Sequence, residues 1–179
     1  MPQLTYRIAK IWGKPEGSSE KYDIDEQIVY PDDKDLNFDS HFTGKLTFIR
    51  LKDEISVLLN SAEVKIKFSC NRCLKIFTRN VEIPEAEREF FHEEPKFESD
   101  DLDDLFFMNK KRMTIDLNEM VRQEIILHFP LIPVCSRSCK GLCPVCGQDL
   151  NKVKCKCKPL NEKESADTFR PFKDLKKLI

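Results

Sequence analysis

Six cysteines fall within the twenty-three residues from Cys135 to Cys157, at Cys135, Cys139, Cys143, Cys146, Cys155 and Cys157, and the other two, Cys70 and Cys73, stand together far upstream. A chain with thiols this dense must fold so that they meet. The centre of the run, Cys143-Pro144-Val145-Cys146-Gly147, reads as a zinc knuckle. Two thiolates three positions apart can chelate one ion, and Gly147 relieves crowding where backbone amides turn toward the sulfurs.

Whether such thiols pair covalently or through a metal depends on the compartment. The start of the chain, Met1 to Trp12, carries no long apolar stretch and no small-residue cleavage site, and nothing later approaches ~18 uninterrupted apolar residues. A soluble protein in the cytosol is expected. In a reducing environment a disulfide framework is disfavoured, so paired cysteines point to metal binding or redox work.

The 179 residues accommodate about one ordinary domain with an appendage. Net charge is −1, but its distribution is uneven. Between Glu85 and Asp104 the acidic residues Glu85, Glu87, Glu89, Glu93, Glu94, Glu98, Asp100, Asp101, Asp103 and Asp104 oppose only Arg88 and Lys96. Between Cys135 and Lys158 the basic residues Arg137, Lys140, Lys152, Lys154, Lys156 and Lys158 face only Asp149.

The first half reads as strands. Leu4, Tyr6 and Ile8 alternate in a first strand, and Gly13 to Glu20 reads as a loop. Phe42 to Leu51 and Ile55 to Leu59 flank Lys52-Asp53-Glu54 as a hairpin, with apolar residues alternating on each arm. Val64, Ile66 and Phe68 then alternate up to Cys70, and Leu74 to Ile83 leaves Cys73 as another extended stretch closed by Pro84. The first cysteine pair therefore lies in the turn of a second hairpin. The fold class expected is α+β: an antiparallel, curled or barrel-like sheet in the N-terminal half, followed by a helix and a cysteine-rich zinc-binding segment. The corresponding division is 1–92 as a β domain, 93–113 as an acidic linker, and 114–179 as helix, cysteine segment and C-terminal amphipathic helix.

Helical signals begin near Asp116, which can cap a helix with Glu119 three residues on, while Ile115 and Met120 suit a hydrophobic staple. Leu117, Met120, Val121 and Ile125 form its apolar stripe. Pro130 has no amide to donate, so the helix should end at His128 or Phe129. Phe106, Phe107 and Met108 are expected in the core. Phe172, Leu175 and Leu178 mark a short amphipathic helix at the end of the chain.

The order of Cys70-Asn71-Arg72-Cys73-Leu74, Glu124-Ile125-Ile126-Leu127, Pro130-Leu131-Ile132-Pro133, Cys139-Lys140-Gly141-Leu142-Cys143-Pro144-Val145-Cys146-Gly147, Leu150-Asn151, Cys155-Lys156-Cys157 and Arg170-Pro171-Phe172-Lys173-Asp174-Leu175 resembles the YceD family. The resemblance spans most of the chain and is weaker before Phe42. Members are named for accumulation of large-subunit ribosomal RNA, so it implies a role in large-subunit ribosome biogenesis, in bacterial cytoplasm or in a plastid. It brings no catalytic residues.

Eight cysteines can fill two four-ligand sites. The natural pairs are Cys70 with Cys73, Cys135 with Cys139, Cys143 with Cys146, and Cys155 with Cys157. Short closures cost little loop entropy, which favours Cys143 and Cys146 closing with two partners from the late cluster. Cys70 and Cys73 can reach a late pair, or remain two reduced thiols at a hairpin turn. A structural role for zinc is expected, because His41, His92 and His128 stand apart and no open catalytic set is visible. A phosphate-cradling glycine loop is absent from the sequence. Redox catalysis at Cys70 and Cys73 lacks the usual strand-to-helix context.

Lys152, Lys154, Lys156 and Lys158 alternate through the segment holding Cys155 and Cys157, so an extended backbone would put lysines on one face and cysteines on the other. With Arg137 and Lys140 they form a candidate surface for RNA phosphates. A solvated knuckle surface is the competing reading. The acidic stretch allows another partner, a basic ribosomal protein held by an adaptor. Neither a membrane nor a small-molecule substrate is expected.

Overall fold

A computed structural model describes residues 4–31, 33, 36–93 and 105–157. The expectations for the C-terminal helix, for Lys158 and for most of the acidic stretch lie outside them. Two compact units divide the chain: Met1–Ser69 with Ile76–Pro133, and Cys70–Lys75 with Val134–Ile179.

The first unit is built on β2 (Ser19–Glu26), β3 (Phe42–Arg50), β4 (Glu54–Ser69), β5 (Ile76–Phe91) and β6 (Phe106–Phe107), in that spatial order. All neighbours are antiparallel except β5 and β6. A second, two-stranded sheet pairs β1 (Thr5–Arg7) with β7 (Thr114–Asp116). The helices are α1 (Ala9–Trp12) and α2 (Asn118–Leu127). The five-stranded sheet is open among the described residues: its order ends at β2 and β6, and no pairing joins these edges into a barrel.

The expected turn joins β3 to β4, where the Leu51 amide donates to the Glu54 carbonyl at 3.0 Å. On this hairpin Leu46, Phe48, Ile55, Val57 and Leu59 are all buried. Each such side chain removed from water contributes about 1.5–3 kcal/mol. The strands then run much further than the separate alternating segments suggest. β4 buries Ile55, Val57 and Leu59 and then Ala62, Val64, Ile66 and Phe68, so its inward parity changes once. The change falls at Ser61, whose φ is +51°, beside a bulge opposite Gly44. A Cβ on Gly44 would stand 2.9 Å from the Ala62 Cβ, so only glycine fits this approach.

Pro84 does not close β5, which continues to Phe91. Asn60 pairs with Glu85 and Ala62 with Ile83, leaving Pro84 opposite Ser61 at the point where the strand pair changes face. A residue without an amide hydrogen is tolerated at such an irregularity. Gly13 to Glu20 also ends differently from expectation, because Ser19 and Glu20 already belong to β2.

Helix α2 buries Leu117, Met120, Val121 and Ile125 completely, as their spacing predicts. The expected Asp116 cap is displaced by one residue: the N-cap is Leu117, whose side chain cannot cap, while Asp116 ends β7 and its carboxylate accepts from the Asn118 amide at 2.9 Å in a local turn. The reciprocal half of the expected capping box is not formed, because Glu119 instead accepts from Arg122 and Gln123. Glu124 lies on the buried stripe and is held by Arg88 at 2.6 Å. The helix stops at His128, whose amide donates to the Glu124 carbonyl, two residues before Pro130. Of the aromatic run after the acidic stretch, Met108 is buried, Phe106 packs against the core, and Phe107 is exposed.

Candidate metal centre

All eight cysteines belong to the second unit, and their sulfurs gather into two groups of four. Cys70, Cys73, Cys135 and Cys139 form one, and Cys143, Cys146, Cys155 and Cys157 the other, with every sulfur in a group within 4.8 Å of the rest. The late knuckle closes locally, while the hairpin pair reaches Cys135 and Cys139.

The first tetrad begins in the tight turn that follows β4. The Cys70 amide donates to the Lys75 carbonyl at 2.9 Å and the Leu74 amide to the Cys70 carbonyl at 2.9 Å. The second knuckle repeats this pattern: the Cys143 amide donates to the Gln148 carbonyl and the Gly147 amide to the Cys143 carbonyl, each at 2.8 Å. In both, the residue after the second cysteine has positive φ, +58° at Leu74 and +71° at Gly147. This turn leaves backbone amides aimed at the leading sulfur, and the Arg72 amide lies 3.4 Å from the Cys70 sulfur.

Sulfur spacing fits a metal. Four thiolates about 2.3 Å from a tetrahedral zinc stand about 3.8 Å apart. Cys70 and Cys139 are separated by 3.9 Å, and Cys73 and Cys135 by 3.7 Å. The protonation pattern agrees with that donor set. Burial opposes ionisation of Cys70, but amide donors around its sulfur lower its pKa to about 6. Amides of Cys146 and Val145 do the same for Cys143, also to about 6. Burial and the neighbouring Cys139 push Cys135 up to about 12, and contact with Cys146 followed by burial raises Cys157 to about 12. In each tetrad amide donors lower one thiol, while burial and neighbouring sulfurs raise another. A dication removes that conflict and makes all four good ligands.

Three residues that sequence reasoning passed over connect the two tetrads. The Asn151 side-chain amide donates to the Cys139 sulfur at 3.5 Å and to Asp149 at 2.7 Å, while its oxygen accepts from the Lys140 amide at 2.8 Å. Arg72 donates its guanidinium to the Cys139 carbonyl at 2.9 Å and accepts the Leu142 amide on its own carbonyl at 2.9 Å. Gly141 takes φ +75°, and a Cβ there would stand 2.9 Å from that carbonyl oxygen, so only glycine fits the approach. The signal for Asn151 was its short polar side chain inside a cysteine-rich loop, a type that organises local backbone.

Of the expected basic surface, Arg137, Lys140, Lys152, Lys154 and Lys156 are exposed. Cys155 and Cys157 are more buried than Lys154 and Lys156, so the alternation of lysines and cysteines is present although the segment is not a regular strand. Arg72 and Lys75 add two exposed cations to the same unit. Among the described residues the histidines stand outside both tetrads.

An antiparallel sheet with its β4–β5 turn in a module of two four-cysteine groups, each able to hold a metal ion, is the class of protein this chain represents. Residues 60–179 match the family described as "Large ribosomal RNA subunit accumulation protein YceD", and the chain belongs to that family. It is similar to two proteins named "Large ribosomal RNA subunit accumulation protein YCED homolog 1, chloroplastic". One, from Zea mays, is 40% identical over 62 residues, which are 34% of this chain and 21% of the maize protein. The other, from Arabidopsis thaliana, is 40% identical over 43 residues, which are 24% of this chain and 13% of the relative. The matched stretch is thus 21% of one relative's length and 13% of the other's. No solved structure matches the chain. No helix among the described residues is long and apolar enough to cross a membrane.

Proposed function

We propose that this protein is a non-catalytic factor in large-subunit ribosome biogenesis, supporting accumulation or assembly of large-subunit ribosomal RNA, with both cysteine tetrads holding structural zinc. The family to which the chain belongs and the tetrahedral spacing of the thiolates support this reading. All-thiolate, closed four-ligand sets stabilise structure and leave no coordination position for substrate. Cys70, Cys73, Cys135 and Cys139 hold one ion, and Cys143, Cys146, Cys155 and Cys157 the other. Zinc binding would supply most of the folding free energy of so small and polar a unit, since structural zinc is worth about 10–16 kcal/mol in comparable peptides.

The RNA-facing surface consists of Arg137, Lys140, Lys152, Lys154, Lys156 and Lys158, extended by Arg72 and Lys75. Lysines on a rigid knuckle suit phosphates, which position a protein without reading bases. Aromatic stacking platforms are not interleaved with these residues, so shape and charge rather than base identity direct the contact. The place of action is the bacterial cytoplasm or a plastid; the two plant relatives are named as chloroplastic, which supports the plastid.

A protein-binding adaptor is the second reading, favoured by the exposed Glu85, Glu87 and Glu89 on β5. These acidic side chains suit a basic ribosomal protein. Gradient sedimentation of extracts from cells actively making ribosomes tests association: at low salt the protein should travel with large-subunit precursors. Its presence only at the top of the gradient would count against stable particle binding. Cross-linking to RNA in cells then separates direct contact from an adaptor.

A further inference from the structure

The two tetrads are unequal, and the inequality sets their reactivity. In the first, Cys70, Cys73 and Cys139 are buried, at 0%, 8% and 4% exposure. Its sulfurs also receive N–H donors from the Arg72 backbone and the Asn151 side chain. In the second, only Cys143 is buried, Cys155 and Cys157 are half-buried, and Cys146 is the one exposed cysteine of the eight. Exposed Lys152, Lys154 and Lys156 adjoin this tetrad in sequence. Thiolate oxidation follows exposure, thiolate character and a positive surrounding, and it completes fastest where a second thiol stands in reach.

We infer that the second tetrad is an oxidation site, with Cys146 as the attacking thiolate and hydrogen peroxide or a similar two-electron peroxide as the oxidant, while the first tetrad resists oxidation. This rests on the zinc reading above. The Cys146 thiolate attacks one peroxide oxygen, the O–O bond breaks, hydroxide leaves, and Cys146 becomes a sulfenic acid. A neighbouring thiolate of the same tetrad, within 4.8 Å, attacks that sulfur. The S–S bond forms as the S–O bond breaks and a second hydroxide leaves. Two thiolates have given up two electrons, and one peroxide has been reduced to two hydroxides, which are protonated to water. An ion held by Cys143, Cys146, Cys155 and Cys157 would then keep only two thiolate ligands and would be released.

Release from one site would loosen the segment that presents Lys152, Lys154 and Lys156, while Cys70, Cys73, Cys135 and Cys139 remain reduced. Under peroxide stress this would weaken the basic surface without unfolding the sheet that precedes it in the chain.

The test uses the full-length protein as purified, with its zinc content measured first. Peroxide is added in the presence of a chromogenic zinc chelator, and free thiols are trapped by alkylation at intervals and assigned by peptide mass spectrometry. One of the two ions should be released, with Cys146 and one of Cys143, Cys155 or Cys157 oxidised roughly tenfold faster or more than the first tetrad. Thiol reductant with added zinc should restore the starting state. Equal rates across the tetrads, or earlier loss from Cys70, Cys73, Cys135 and Cys139, would overturn the inference. Protein that arrives without metal defeats the zinc reading instead; its alkylation map still ranks the thiols, and an unreactive Cys146 there overturns the oxidation site independently. Cys146→Ser should slow peroxide-driven release if it folds, and the wild-type map decides the matter if it does not.

Discussion

The Asn151 side-chain amide stands 3.5 Å from the sulfur of Cys139, a donor from the loop of one tetrad reaching a ligand of the other. Such outer hydrogen bonds orient ligands and tune metal affinity. The same side chain accepts the Lys140 amide on the residue after Cys139, so a single asparagine fixes both the ligand and its neighbouring backbone.

Asn151→Ala should therefore weaken metal retention at the first tetrad by roughly 10–100-fold, although Asn151 is not itself a ligand. Competition with a graded series of chelators reads this out. Retention equal to the parent protein would show that the amide contributes nothing to the site.

The two knuckles share one backbone but not one residue at the left-handed position. Gly147→Ala should lower the module's stability by about 1–2 kcal/mol from the positive φ alone, since no atom lies within 4 Å of the added Cβ. Leu74→Gly should gain up to about 1 kcal/mol, because the strain it removes exceeds the added chain entropy. Gly141→Ala combines the same φ penalty with a Cβ only 2.9 Å from the Arg72 carbonyl and should cost the most of the three. Chemical denaturation of the zinc-loaded protein ranks them, and Gly141→Ala milder than Gly147→Ala would contradict the close approach.

In the sheet unit, hydrogen bonds from Lys14 and then Tyr22 hold the Glu20 carboxyl down to about 2 from its ordinary 4.5. Because the folded value is depressed, its contribution is present above the ordinary pKa and is lost as pH falls toward 2. Side-chain carboxylate NMR should show a midpoint near 2 for Glu20, moving upward in Lys14→Met. A midpoint near 4.5 in the parent protein would mean that the Lys14 contact at 2.7 Å does not persist in solution.

If the cysteine module touches RNA phosphates, the combined substitution of Lys152, Lys154 and Lys156 by Gln should reduce the salt dependence of binding to ribosomal RNA fragments. The slope of log affinity against log salt should fall by about 2 to 3, roughly one unit for each lost contact. Binding that is insensitive to salt, or unchanged in the triple variant, would remove these lysines from the interface.

Much of this architecture was readable from residue pattern. Alternation of Leu46 and Phe48 with Ile55, Val57 and Leu59 marked the first hairpin, and strands on both sides of Cys70 and Cys73 placed that pair at a turn. The α2 stripe and its stop before Pro130 followed from 3.6-residue spacing. The strand β2 was hidden because an edge strand with Ile24 as its single buried residue carries no apolar alternation. Continuity of β4 and β5 was hidden for a different reason: the parity change at Ser61 and the proline at Pro84 both resemble strand ends in sequence. Pairing of the cysteines depended on which late pair the hairpin turn would meet, a tertiary choice that loop entropy does not decide. Asn151 gave no metal signal because its role is to hold a ligand, not to be one.

Metal stoichiometry of freshly purified, reductant-treated protein tests the central claim most directly. Two zinc ions per chain, falling to one when Cys70 and Cys73 are both replaced by serine and to one when Cys143 and Cys146 are, would establish two independent four-cysteine sites with the pairing described. A fully folded protein with no zinc, or a single ion lost in both double variants, would contradict it.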